Sequence, residues 1–474
     1  MILLAVLLVF EEPLISCHKP LYWQQLEFIA TAHGVSLPAL YPLEPQEVRS
    51  ILAHLVPTGS YEQSLYQRLR LVRHSLLAVN PFGMIHWFGH DYVGIAGVAC
   101  DLFLNLSSLQ FRYKVGLYSR WDKTTNRPIY SPLIEPHYPR HREHEPIVGY
   151  SNVIEVEDFE GWVNLSFQKL SIKIGRIPVR YGPMYHTAVA LSAYSLPFNY
   201  IYHIKFAHKG IRLFAGLGFS SDVESDSLGQ RTRRLQGLAT QRVDIFVARN
   251  FRVGVFETVL FDPAEWPRLF NPVQIYYVAQ RRQRVGGRDN LVGGIDCEWL
   301  PSPGIKLYGE FIDDDIVVFK TSGQPSKYAY AVGFYKVWSR STLRMELAYV
   351  SKWTYTHYTF DNAYTLFGVP LGCWAGNDVL NVYMEYNFYV GEDWRIALQC
   401  EYLNHGDGDL IHPAEYSIER GEPPTEIPVE WLILGIRLYW GTKLAAAVWY
   451  HVGDTNARLR FKLYLKHRFT YRLL

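Results

Sequence analysis

Residues 458–474, at the C-terminus, read RLRFKLYLKHRFTYRLL and give the clearest indication of the fold. Apolar and charged side chains alternate there with a period of two, and His467 is the only exception on the apolar side. One face carries Leu459, Phe461, Leu463, Leu465, Phe469, Tyr471 and Leu473, and the other carries Arg458, Arg460, Lys462, Lys466, Arg468 and Arg472. This period predicts a β-strand with one apolar face and one hydrated face.

The same alternation continues from about Met84 to the C-terminus. Many of the alternating segments are close to the roughly 9 to 11 residues that a tilted strand needs to cross a bilayer. Further examples are residues 111–117, 305–311, 343–347, 380–388 and 394–402. Counting such segments, we expect about 16 to 18 strands in a closed antiparallel transmembrane β-barrel with a hydrated lumen.

The connections between these segments are of unequal length. Short turns are expected at Pro303-Gly304 and at residues 391–393 and 453–456. Long connections are expected at residues 122–158, 222–241, 261–290, 354–376 and 405–429. Short turns on one side and long loops on the other are typical of outer-membrane barrels. A soluble β-sandwich or propeller also alternates, but strand length, the aromatic content and the lack of a repeat of about 40 residues favour the membrane barrel.

Composition agrees with a folded β protein and excludes several classes. Hydrophobic residues make up 49% of the chain, aromatic residues 15% and charged residues 19%. The formal net charge of +2 provides no global field for a nucleic acid. The five cysteines are scattered without a CxxC spacing, which argues against a zinc site or a disulfide framework. Apolar runs stay shorter than the roughly 18 to 20 residues of a membrane-spanning helix.

The N-terminal region has a different pattern. The apolar run at residues 2–10 suggests that residues 1–17 are an export signal, although a cationic start is missing and Glu11 and Glu12 follow at once. Leu14 to Cys17 resembles a lipoprotein cleavage box, and a misassigned start codon is the alternative. Helical periodicity then predicts a small cap over residues 18–80, so that the barrel takes residues 81–474.

Several stretches, in this order, resemble the Wzi-like capsule assembly family of bacterial outer-membrane β-barrels. The helical stretch containing Pro20-Leu21-Tyr22 and Pro45-Gln46-Glu47-Val48 is similar to the periplasmic cap that precedes the barrel in related proteins. The barrel stretches are Gly175 to Pro183, Leu260 to Tyr277 with Leu269-Phe270-Asn271-Pro272, Asp289 to Asp296 followed by Glu310 to Asp314, and Trp353 to His357 leading to Gly368 to Gly372.

This resemblance implies a non-enzymatic, lectin-like protein that holds exported capsular polysaccharide at the cell surface. It implies an outer-membrane location with a periplasmic cap, capsular or other surface polysaccharide and membrane lipid as partners, and the polysaccharide export machinery as a further candidate. No nucleic acid, cofactor or metal is expected. A passive channel for small polar solutes is the alternative function, and an outer-membrane hydrolase is a more distant one.

A polysaccharide site needs flat aromatic faces for sugar rings and cations for uronate or phosphate groups. The competing interpretation is that lumen cations pair with lumen acids such as Glu310, Glu346, Glu385 and Glu401. For Arg176 and Arg180, pore lining and the binding of backbone carbonyls are both open. The candidate binding residues are Arg176, Arg180, Tyr181, Tyr276, Tyr277, Arg281, Arg282, Arg284, Arg288, Trp353, Tyr355 and His357.

Sites for other chemistry are weaker. His137, His141 and His144 could bring two imidazoles to one metal, and Asp313-Asp314-Asp315 could bind Ca²⁺, but solvated loops explain both patterns. Ser192, His186 and Asn199 could form a hydrolase triad only if folding assembled them. A nucleophile motif such as G-x-S-x-G is missing from the sequence.

Overall fold

The structure is a computed structural model. It describes residues 21–38, 40–41, 51–52, 55, 76–88, 91–106, 108–122, 154–167, 169–192, 197–225, 231–281, 289–314, 325–357, 363–366, 369–390, 394–408, 410, 428–440, 444–453, 458–466 and 469–472. Helix α1 spans Leu21–Ala32, α2 Trp266–Leu269 and α3 Tyr276–Arg281, and a 3-10 helix spans Pro263–Glu265. Within these ranges, each helix is too short or too polar to cross a membrane.

Two kinds of strand are present. The short ones form two-stranded sheets, β1 (Leu40–Tyr41) with β7 (Arg180–Tyr181) and β16 (Thr365–Leu366) with β17 (Val369–Pro370). The long ones are β2 (Leu76–Phe88), β3 (Asp91–Leu106), β4 (Leu109–Asp122), β5 (Ile154–Ser166), β6 (Leu170–Ile177), β8 (Phe198–His208), β9 (Ile211–Ser225), β10 (Arg231–Ala248), β11 (Phe251–Phe261), β12 (Asn290–Ser302), β13 (Ile305–Asp313), β14 (Tyr328–Val337), β15 (Ser341–Val350), β18 (Val379–Val390), β19 (Trp394–His405), β20 (Val429–Trp440), β21 (Leu444–Gly453), β22 (Arg458–Lys466) and β23 (Phe469–Arg472).

The long strands form a closed antiparallel barrel. Closure is made by β2, which pairs with β3 on one side and with the C-terminal strands on the other. Strands β22 and β23 pair with residues 82–88 and 76–79 of β2, so they are two parts of one strand. Counted this way, the described residues make eighteen barrel strands, which confirms the predicted fold.

Most of the predicted connections agree with the observed strand bounds, and one does not. Pro303-Gly304 joins β12 to β13, and the connection between β19 and β20 runs from His405 to Val429 as expected. The long loop expected at residues 222–241 is wrong, because β9 and β10 stay paired up to Ser225 and Arg231. Backbone pairing between β9 and β10 continues there although many of the side chains are polar. A prediction of the strand ends from side-chain polarity alone is therefore wrong at this place. The first barrel strand also begins at Leu76, inside the range assigned to the cap.

The barrel wall is polar inside and apolar outside. On β15 the inward side chains include Arg344 and Glu346, which are buried, whereas the outward Met345 is exposed. The same alternation holds for β13 and β18, and the exposed apolar residues of the outer face include Leu307, Val332, Val382 and Met384. This arrangement inverts that of a soluble protein and is the one expected for a wall between water and lipid.

Candidate functional site

The connection between β6 and β8 folds into the barrel. We call its described residues 178–192 the first inner loop, and from Val179 onward all are buried. Near one end of this loop, Tyr181 packs against Arg242 of β10 and Phe256 of β11. Further along, His186 Nε2 lies 2.6 Å from Glu401 Oε1 of β19. Strands β10 and β11 are separated from β19 around the barrel, and the first inner loop contacts all three. The first inner loop therefore crosses the lumen.

Carboxylates of the wall bind the backbone of this loop. Glu346 accepts hydrogen bonds from the backbone N–H groups of Tyr185 at 2.8 Å, His186 at 2.8 Å and Thr187 at 3.0 Å. Glu310 accepts from the backbone N–H groups of Val189 and Ala190. The carboxyl oxygens of both acids pair with buried backbone N–H groups that would be costly to leave without an acceptor, so these two acids fix the loop in place.

Gly182 shows how closely the loop approaches the wall. Its φ is +87°, and a Cβ at this position would lie 1.9 Å from Glu310 Oε2. A larger residue would therefore be strained in conformation and would also displace the carboxylate.

The described part of the connection between β15 and β18 also folds inward, and we call its residues 351–357, 363–366 and 369–378 the second inner loop. Tyr355 joins the two loops, because its hydroxyl donates to Val189 O at 2.5 Å and accepts from Cys373 N at 3.1 Å. The backbone N–H of Tyr355 donates to Asp314 Oδ2 at 2.5 Å. Burial raises the pKa of the Tyr355 hydroxyl well above its ordinary value, so this hydroxyl remains a donor. Asp314, a Ca²⁺ candidate in the sequence, thus anchors the loop backbone.

Helix α1, the helix of the predicted cap that the structure describes, is joined to the barrel interior by an ion-pair cluster. Glu27 of α1 is fully buried and contacts Lys306 Nζ and Arg344, the latter at 2.8 Å. Burial opposes ionisation of Glu27, but the two cations outweigh it and hold the pKa of this carboxyl below its ordinary value. Arg344 also donates to Tyr308 Oη at 3.0 Å, and Tyr308 donates to Glu346 at 2.7 Å. Hydrogen bonds therefore connect the cap to the first inner loop.

At the end of the barrel with the long connections, three side chains form a surface that we call the mouth cluster. These are Lys352, Trp353 and Asp407. Lys352 Nζ donates to Asp407 Oδ1 at 2.7 Å and lies 5.5 Å from the ring centroid of Trp353. The hydrogen bond from Lys352 lowers the pKa of Asp407. An aromatic face next to paired charges can stack on a sugar ring and bind its hydroxyl groups.

The structure separates the predicted binding residues into different places. Arg180, Tyr181 and Tyr355 are buried in the lumen. Arg180 donates to Met184 O at 2.7 Å, which is the carbonyl-binding role that the sequence left open. Trp353 and His357 are partly exposed in the second inner loop. Of these five residues, Trp353 and His357 are the two that solvent reaches.

Three of the predicted residues lie outside the lumen. Arg176 is directly opposite the exposed Asn199 and therefore shares its outward face. Tyr276 is fully buried against the outer wall, and Tyr277 is exposed there. The side-chain alternation of a sequence does not tell on which side of the wall a connection folds, which is why the two tyrosines were assigned to a glycan site. The side chain of Arg281 and all of Arg282, Arg284 and Arg288 lie outside the described residues.

The predicted pairing of lumen acids with cations is present for Glu346, whose Oε1 lies 3.8 Å from Arg344 Nη1, but most contacts of the named acids are of other kinds. Glu310 and Glu346 bind mainly backbone amides, and Glu385 accepts from Asn387, Gln399 and Tyr383. Ion pairs do occur elsewhere, where Arg242 and Arg252 bind Asp244 and Asp296 at 2.6–3.2 Å. The loops that donate hydrogen bonds to Glu310 and Glu346 come from distant parts of the chain, so no local sequence pattern could have revealed these hydrogen bonds.

The predicted hydrolase triad is not assembled. His186 and Ser192 are buried in the first inner loop, whereas Asn199 is exposed on the outer face. Within the described part of the chain, there is no group of three or more residues suited to hold a metal ion. His137, His141 and His144 lie outside the described residues.

Comparison with known proteins gives one family and a related fold. A family model for the capsule assembly protein Wzi matches residues 140–468. Wzi of Escherichia coli, an outer-membrane protein described as a carbohydrate-binding β-barrel involved in group 1 capsule assembly, is similar in structure at 13% identity, with a TM-score of 0.62, 96% of this chain covered and 99% of that one. Pseudomonas aeruginosa OpdQ is less similar, at 10% identity, a TM-score of 0.47, and 84% and 98% coverage. The comparison with curated protein sequences finds no match.

Proposed function

Because the chain belongs to the Wzi capsule assembly family, we propose that it resides in the bacterial outer membrane and retains exported polysaccharide at the cell surface by non-covalent binding. The polar lumen and the apolar outer wall support this location. The cap, facing the end with the short turns, is then periplasmic, where it could also meet the export machinery.

One observation carries the binding role. Both inner loops lie inside the barrel, and carboxylates, Tyr355 and the cap cluster tie them there. A lumen occupied in this way favours binding over free diffusion through a pore. It also leaves the end with the long connections as the surface on which a polysaccharide can be held.

The proposed binding surface consists of the mouth cluster and the neighbouring His357. Stacking on Trp353 would hold a sugar ring, while Lys352 and Asp407 would bind its polar groups. We also propose that the arginines between residues 281 and 288 form a second contact, with acidic groups of the polysaccharide. We propose no bond-breaking step at this surface, so the polysaccharide would be bound and released unchanged.

The test compares two lysine–tryptophan pairs at opposite ends of the barrel. Lys336 lies 5.8 Å from the ring centroid of Trp338, at the end with the short turns. Trp353→Ala should reduce both the retention of surface polysaccharide on cells and the binding of purified polysaccharide, whereas Trp338→Ala should reduce neither. Both variants are first checked for folding by heat-modifiable gel mobility. Equal retention by the two variants would overturn the assignment of the mouth cluster.

A further inference from the structure

The connection between β11 and β12 folds against the outside of the barrel. We call residues 262–281 the outer strap. It covers a row of residues that lie directly opposite one another across β8 to β12. Along β10, Thr240 and Arg242 are buried on the lumen side. Ala239 precedes Thr240 and therefore points to the opposite, outward face, and the row that contains Ala239 faces outward with it. Its members are Tyr202, Leu217, Ala239, Val259 and Leu291.

Two side chains of the outer strap make this contact. Leu269 and Tyr276 are fully buried and form one apolar cluster with the covered row. The outer strap is therefore packed on the wall. Over the covered row of β8 to β12, the outer surface of the protein is formed by the outer strap and not by the wall.

Polar groups of the wall bind the backbone of the outer strap. Tyr202 Oη donates to Phe270 O at 2.8 Å, and Gln241 donates to Gln274 O at 2.5 Å. Glu257, directly opposite Gln241, accepts from the backbone N–H of Tyr276 at 2.8 Å. In hydrocarbon, irregular backbone and outward polar side chains are costly unless they bond to each other. The outer strap and this wall supply such partners to each other.

The other face of the outer strap is apolar and exposed. Val273 is 80% exposed, and the patch continues the apolar outer wall, where Ile201, Leu235 and Val255 are also exposed. The exposed members within the outer strap are Trp266, Phe270, Val273, Ile275, Tyr277 and Val278.

We propose that the outer strap lies within the outer leaflet of the membrane and binds lipid acyl chains along this apolar face. Continuity with the apolar wall on the adjoining strands selects lipid over a second protein. The inference uses the proposed outer-membrane location and is independent of polysaccharide binding.

The test places an environment-sensitive bimane label at single cysteines in a background whose five native cysteines are replaced by alanine and which keeps its heat-modifiable mobility. The protein is reconstituted in phosphatidylcholine vesicles that contain doxyl-labelled lipid. Val273→Cys is compared with Val332→Cys, on the outward face of β14, and with Ser339→Cys, in an exposed turn. Quenching at position 273 should equal that at 332 and exceed that at 339.

Quenching at position 273 no stronger than at 339 would overturn the inference while leaving polysaccharide retention untouched. Disulfide cross-linking between copies at position 273 would overturn it in favour of a second copy of the chain. If position 332 were also unquenched, the outer-membrane location itself would fail, and the inference with it. Loss of polysaccharide retention in the Trp353→Ala variant bears on none of these outcomes.

Discussion

The first inner loop and the outer strap are both irregular connections packed on the same barrel wall, on opposite sides of it. In both, a glutamate of the wall accepts backbone N–H groups, Glu346 inside and Glu257 outside. The inner loop is buried throughout after Pro178, whereas the outer strap exposes an apolar face. A glutamate that accepts backbone N–H groups can therefore fix a loop on either face of the wall, and the surrounding medium determines which side chains the loop exposes.

Glu346→Gln should have the largest effect on this comparison. It removes the charge that holds three backbone amides and the Tyr308 hydroxyl, and we expect a loss of about 4 kcal/mol in stability because those donors stay buried without an ionised acceptor. The loss is read from the temperature at which the heat-modifiable gel band unfolds. Planar-bilayer conductance should rise if the loop leaves the lumen. Glu430→Gln, at an exposed position, is the matched control, and an equal shift in the two variants would contradict the role of Glu346.

Glu27→Gln should release the cap at a cost of about 3 kcal/mol, since Lys306 and Arg344 then lose a buried counter-charge. The pKa of Glu27 is lowered in the folded protein from its ordinary 4.5. Its contribution is therefore present above pH 4.5 and is lost as the pH falls through the lowered value. Protease sensitivity of the cap should rise below this pH in the wild type and be high at pH 7 in the variant. A cap that is equally protected in both proteins at pH 7 would refute the ion-pair role.

Tyr355→Phe tests the joint between the two inner loops. It removes the hydroxyl shared by Val189 O and Cys373 N without changing the ring, and it should cost about 2 kcal/mol. Thermal unfolding of the purified protein checks the value. Tyr277→Phe, on the exposed face of the outer strap, should leave unfolding unchanged, so a similar shift in both would argue against the joint.

Tyr202→Phe should have the smallest effect, about 1 kcal/mol, because a single, partly buried hydrogen bond to Phe270 O is lost. Hydrogen exchange of the outer strap should increase while exchange of the first inner loop stays the same. Tyr330→Phe, on the outward face of β14, serves as the control. Faster exchange in the inner loop of the Tyr202→Phe variant would show that the two regions are not independent.

The local sequence was sufficient to predict the strands of the barrel wall and their polar and apolar faces. Alternation at Leu380 to Phe388 predicted a strand with inward polar and outward apolar residues, and β18 has that pattern. Such prediction succeeds because side chains of a strand alternate between two faces whatever lies beyond them. It failed at residues 222–241, where backbone pairing, and not side-chain polarity, set the strand ends.

The candidate site was predictable only in part. Trp353 and His357 were singled out by the family resemblance and lie at the mouth, but Lys352 and Asp407 were missed because their contact joins positions 55 residues apart. Tyr276 and Tyr355 were assigned to one site, and the structure places the first outside the barrel and the second in its lumen.

The amino-acid sequence alone was enough to predict a barrel with a polar interior and an apolar exterior, since a period of two is a local property of the strand. The three-dimensional fold was needed to show which connections fill the interior, which one lies on the outside, and which acids bind the backbones of these connections. Those choices depend on hydrogen bonds between residues that are far apart in the chain, such as Tyr185 with Glu346 and Glu27 with Arg344.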